Sequence, residues 1–160
     1  MKKWLAVVLV LVLAGAVAWV AFSRHAAPEV RYTTLSGETL SQADLKGKVV
    51  LVNFWATSCP GCIEEMPHMQ QMYKEYAAKG FETIAVAMSY DPPNYVKAYA
   101  DKNTLPFKVV LDADGAIAKA FGDVELTPTT FLIDRDGNIV KRYVGIMNFD
   151  EIKQLIVQSL

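Results

Sequence analysis

The sequence is poor in the residues that usually hold metals or staple small folds. It has only two cysteines, Cys59 and Cys62, and two histidines, His25 and His68, in 160 residues. So few cysteines exclude a disulfide scaffold, and the absence of a second CxxC removes the usual tetrahedral zinc site, which needs four such ligands. There is no excess of basic charge (formal net charge −1) and no basic patch with interleaved aromatics, so nucleic-acid binding has no support. No internal repeat and no low-complexity tract is present, and no cysteine sits where a lipoprotein signal would place one.

Charge is also missing from residues 4–22, "WLAVVLVLVLAGAVAWVAF", a continuous uncharged run preceded by Lys2 and Lys3. At about 1.5 Å per helical residue, a run of this length spans roughly 30 Å, the thickness of a bilayer core. The flanking lysines predict a single-pass anchor in the inner (cytoplasmic) membrane with the rest of the chain outside, in the periplasm or at the cell exterior. A cleaved signal peptide, cut near Ala14-Gly15-Ala16 or Ala16-Val17-Ala18, is the competing reading and gives a secreted domain. The run continues through Trp19, Val20, Ala21 and Phe22, more than a signal requires, and Trp4 and Trp19 sit near its ends, where indole rings favour the interface. Residues 1–22 are therefore read as anchor or signal segment, 23–29 as a linker and 30–160 as one domain.

The domain alternates strand and helix patterns. A small hairpin around residues 30–40 turns at Ser36-Gly37, and Ser41 caps a short helix that ends at Gly47. "KVVLVNFW" (48–55) and "FETIAVAM" (81–88) are apolar runs of the kind buried on both faces. A helix is expected from Pro60 to Lys79 with Gly80 as its stop, another over "PPNYVKAYADK", and a strand over 108–112. After a small helix near Ala116–Phe121, "TTFLID" and "NIVKRYV" form a hairpin through Asp136-Gly137-Asn138, and "DEIKQLIVQ" is a closing amphipathic helix. The order implies an α/β fold: a mixed β-sheet flanked by helices on both faces.

Three readings compete for the cysteine pair. A structural disulfide closes only a short loop and removes little chain entropy. A metal site lacks ligands: His68 is six residues past Cys62 and points well away from it on a helix, although two thiolates could still carry Cu(I). Redox exchange fits the context best. Cys59 follows a buried strand and opens a helix, with Pro60 at the first helical position, which suits a residue lacking an N–H. Free N–H groups and the dipole at a helix start stabilise a thiolate. Cys59 is thus the candidate attacking thiol, and Cys62, one turn further in, the candidate resolving thiol.

"VNFWATSCPGC" followed by "EEMP" resembles the thioredoxin superfamily, in particular the membrane-anchored TlpA/ResA-like thiol–disulfide oxidoreductases, from about Val30 to the C-terminus. The resemblance implies a thioredoxin-like fold with Pro67 as the proline of the active-site helix. It also implies a cis Thr127–Pro128 bond in "LTPTTFLID" and substrate contacts at Thr127, Pro128, Trp55, Pro60 and Gly61. Residues 89–115 and the N-terminal hairpin match material that separates this branch from minimal thioredoxin. The function so implied is reduction of disulfides in exported proteins, among them the haem-binding cysteines of apocytochrome c in cytochrome c biogenesis. A membrane thiol reductase would supply electrons, and no cofactor is implied.

The chain departs from that pattern at three places. Asn53 stands where thioredoxins carry a buried acid that helps deprotonate the resolving cysteine, and an amide cannot take that proton. "AMSYDPP" supplies no glutamate in its place. Asp91, Glu64 and Glu65 are the nearest carboxylates in sequence, none of them assigned as the base, which leaves water for the role. Ser58 replaces the tryptophan common before the first cysteine, and Pro60-Gly61 matches neither thioredoxin nor the strong oxidants. The absence of a histidine between the cysteines favours a reductant over a disulfide oxidase. A copper-binding chaperone and a thiol peroxidase on the same fold are the other readings, the latter disfavoured by Ala56 where that family has threonine three before its reactive cysteine. Met66, Met69 and Met72 recur at helical spacing and are read as core and groove lining.

Overall fold

The computed structural model describes residues 26–160, so the expected anchor at 4–22 and residues 23–25 lie outside the described residues. Among the described residues no helix is long and apolar enough to cross a membrane.

Within that span, seven strands and four helices follow the expected order. β1 (Arg31–Thr33) and β2 (Thr39–Ser41) make the small antiparallel hairpin. The main sheet has the order β5-β4-β3-β6-β7, with β3 (Val49–Trp55) central. β4 (Phe81–Ala87) and β5 (Lys108–Leu111) run parallel on one side of β3, whereas β6 (Thr129–Ile133) and β7 (Ile139–Val144) are antiparallel on the other. β3 and β4 are buried along their whole length, as apolar runs between two helical layers must be.

Alternation along β3 separates two cores. Val49, Leu51 and Trp55 face α1 (Pro60–Tyr76), α2 (Pro93–Asn103) and α4 (Phe149–Ser159), against Met66, Met69, Met72, Val96, Ile152 and Ile156. Val50, Val52 and Phe54 face α3 (Ala116–Ala120) and the N-terminal hairpin, where Phe54, Phe121 and Phe131 pack edge to face or tilted with centroids 4.9–6.0 Å apart. The three methionines of α1 are fully buried, the core role their spacing predicted.

Some boundaries differ from the sequence reading. The first short helix is a single 3-10 turn, Ala43–Leu45, held by Asp44, whose carboxylate accepts from the Ser41 N–H and hydroxyl, both at 2.7 Å. α1 gives way to a 3-10 turn at Ala77–Lys79 before Gly80, whose φ of +96° stops the helix. The linker expected over 23–29 is docked rather than free at its C-terminal end: Ala26 bridges to Asn138, and the Ala27 N–H donates to the Gly137 carbonyl at 2.8 Å. The hairpin also covers the β5 edge, with the Leu35 N–H donating to the Val109 carbonyl at 2.9 Å.

Candidate active site

The site grows from the end of β3. After Trp55 the chain makes a tight turn in which the Cys59 N–H donates to the Ala56 carbonyl at 3.1 Å, and α1 begins at Pro60. Cys59 is the N-cap of α1 in an extended conformation, and its Sγ accepts from the Cys62 N–H at 3.2 Å. A sulfur in that position meets the free N–H groups and the positive end of the helix dipole. The two cysteines are joined as a disulfide, with Cα atoms 5.3 Å apart. They are unequal: Cys59 is half-buried, while Cys62 is 1% exposed.

The loop before β6 lies against this turn. The Thr127–Pro128 bond is cis, as the resemblance implied. A Cβ built on Gly61 would stand 3.5 Å from Pro128 Cδ and 3.2 Å from Ile146 Cγ1, so the Pro128 and Ile146 loops both close on the backbone between the cysteines. That close approach is why glycine suits position 61. The Gly145 N–H donates to the Pro128 carbonyl at 2.8 Å and ties the two loops together. Thr127, Pro128, Pro60 and Gly61 therefore gather around the disulfide. Trp55 does not reach the surface; it is wholly buried, packed in the same core as Cys62, with its ring 5.3 Å from Tyr99.

A buried acid stands beside Asn53. Glu65 is fully buried one helical turn past Cys62. Its carboxylate accepts from the Met147 N–H at 2.5 Å and from Asn53 Nδ2 at 3.3 Å, while Asn53 also donates to Thr130 Oγ1 at 2.9 Å. Burial pushes the Glu65 carboxyl up to about 7, against the opposing pull of the hydrogen bonds from Met147 and Asn53. Of the three carboxylates left unassigned in the sequence, Asp91, Glu64 and Glu65, it is Glu65 that is wholly buried next to Asn53. A signal was present in the i, i+3 spacing of Cys62 and Glu65, which places both on the buried face of α1. Asp91 is also buried, but it is engaged with Thr57: the Thr57 N–H and hydroxyl both donate to it at 2.6 Å. Ser58 is exposed, and so is His68, which stacks on Phe149 with centroids 4.0 Å apart. Among the described residues no group of three histidine, cysteine or acidic side chains is arranged to hold a metal ion.

Known proteins share this arrangement. The family profile described as Redoxin matches residues 23–156. The chain is 38% identical over 128 residues to the thioredoxin-like protein YneN of Bacillus subtilis, an alignment covering 72% of this chain and 75% of YneN. It is 34% identical over 124 residues to the thiol-disulfide oxidoreductase ResA of Bacillus cereus, covering 71% of each. The solution structure of a Neisseria meningitidis protein described as a thioredoxin superposes with a TM-score of 0.79 at 42% identity, covering 86% of this chain and 91% of that one. A half-buried cysteine caps a helix here, with its buried partner one turn on and a cis-proline loop beside them, and the chain belongs to the Redoxin family as a thiol–disulfide oxidoreductase of thioredoxin-like fold.

Proposed function

We propose that the protein reduces disulfides in exported proteins, with Cys59 as attacking and Cys62 as resolving thiol. The asymmetry of the pair carries this reading: one sulfur caps a helix within reach of solvent, while the other is buried, three residues before the buried Glu65 on the same helix. The Cys59 thiolate attacks one sulfur of a substrate disulfide, that S–S bond breaks, and the departing substrate sulfur takes a proton. Cys62 passes its proton to Glu65 and attacks Cys59 Sγ, releasing the second substrate sulfur. The substrate gains two electrons and two protons, and the pair is left as the Cys59–Cys62 disulfide. Thr127, Pro128, Pro60 and Gly61 form the contact surface for the incoming chain.

One feature favours reduction over oxidation: no histidine lies between the cysteines to stabilise the thiolate form. Residues 4–22 would hold the domain on the outer face of the cytoplasmic membrane, where a membrane thiol reductase recharges it and apocytochrome c cysteines are among its substrates. Replacing Cys62 by serine should trap mixed disulfides with the natural substrates, and Cys59→Ser should abolish the activity. Mass spectrometry of the trapped adducts identifies the partners. A Cys62→Ser protein that captures no exported protein in its own cell envelope overturns the proposal.

A further inference from the structure

Residues 90 and 91 tie together the loops around the disulfide. Asp91, near the end of the β4–α2 connection, receives both donors of Thr57, two residues before Cys59. Its neighbour Tyr90 reaches the other way, its hydroxyl 3.2 Å from Thr127 Oγ1 in the cis-proline loop. Asp91 is itself held, its N–H donating to the Met88 carbonyl at 2.9 Å. The approach to Cys59 and the loop that faces it are thus set by one dipeptide on a third element.

The exchange chemistry above needs the Cys59 turn to be held, but not by an acid. A neutral side chain could accept from the Thr57 N–H equally well. Asp91 brings negative charge to a buried position, 5% exposed, where a Coulombic interaction is screened less than at the surface. The Ala56–Cys59 turn keeps its ends within about 7 Å, so the carboxylate lies on the order of 10 Å from Cys59. At that range and an effective dielectric constant near 20, a unit charge changes an ionisation constant by roughly tenfold. Its sign opposes the N-terminus of α1. The other acids close to the pair in sequence are Glu64 and Glu65 on α1, while 126–128 and 145–148 contribute no charged residue.

We propose that Asp91 is a positioning residue that fixes the turn before Cys59 and, by its charge, offsets the helix N-terminus so that the pair favours giving electrons up. The inference rests on the exchange chemistry of the pair and not on the identity of its substrates. The full chain can therefore be tested with glutathione alone. Two glutathione thiols reduce the Cys59–Cys62 disulfide to the dithiol and become glutathione disulfide, and the equilibrium is read at pH 8.5, where the thiolate is populated. The pH profile of Cys59 alkylation is the companion measurement.

Asp91→Asn keeps an acceptor for the Thr57 N–H and removes the charge. The expected result is a rise of about tenfold in the Cys59 ionisation constant and a shift toward the dithiol of up to tenfold, equivalent to about 30 mV. Thr57→Val leaves the charge in place and removes one donor of the brace, so it should lower the melting temperature while the equilibrium stays within twofold of the wild type. A purely structural brace would move the equilibrium alike in both variants. An Asp91→Asn equilibrium within twofold of the wild type, or a Thr57→Val shift as large as that of Asp91→Asn, overturns the proposal. If Asp91→Asn does not fold, Asp91→Ser, which also keeps an acceptor without the charge, decides by the same criterion.

Discussion

Replacing Glu65 by glutamine should remove a pH dependence of stability that the wild-type protein carries. The carboxyl titrates near its ordinary value of 4.5 when the chain is unfolded and at about 7 when folded, because it is buried between α1, Asn53 and the Met147 backbone. Between those values the folded state binds the extra proton, so stability falls as pH rises from about 4.5 to 7 and is lowest above it. A difference of that size corresponds to about 3 kcal/mol, or about 7–14 °C in melting temperature for a domain of this length. In the Glu65→Gln variant the amide oxygen can still accept from the Met147 N–H, and a flip of the Asn53 amide restores its contact while Thr130 donates instead. At pH 5 the variant and the wild type should therefore melt within a few degrees of each other. At pH 8 the variant should be the more stable, with a nearly flat profile between. Thermal unfolding of the oxidised chain, followed by circular dichroism at half-unit pH steps, reads this directly. Parallel profiles, or a variant less stable at pH 8, would show that burial does not raise the basicity of the Glu65 carboxylate, and its role as proton acceptor for Cys62 would fall with it.

Two further predictions concern packing. The hydroxyl of Thr83 on β4 is buried without a hydrogen-bond partner, so Thr83→Val should raise stability by about 1 kcal/mol or more in urea unfolding, since it keeps the shape and removes an unsatisfied group. Gly61→Ala places a methyl 3.2 Å from Ile146 Cγ1 and should slow disulfide exchange severalfold; adding Ile146→Ala should restore most of the rate, a coupling that a double-mutant cycle measures.

The order of elements was legible because each carries a local cause. β3 and β4 are apolar without interruption, Gly80 and Gly137 sit where positive φ is required, and Asn148 accepts from the Asp150 and Glu151 N–H groups at the start of α4. Cys59, Pro60 and Cys62 were equally legible, since a helix start is written in adjacent residues. The second layer of the site was not. Asn53, Glu65 and Met147 meet across 12 and 82 positions of chain, and Thr57 meets Asp91 across 34. Only the fold brings such partners together, so Asn53 read alone suggested a missing acid, whereas in space it is the donor that holds one. The docking of Ala26 and Ala27 was illegible for the same reason, because its partners are backbone groups of a turn more than a hundred residues away.

That docking fixes the end of the sheet at which the described chain enters. Thr129 pairs with Phe54 at the disulfide end of the sheet and Ile133 with Val50 at the other, so the turn that receives Ala27 lies at the far end from Cys59. The seven residues of β3 put about 20 Å of sheet between the two ends. The described chain therefore enters the domain at one pole of the sheet, and the reactive sulfurs lie at the opposite pole.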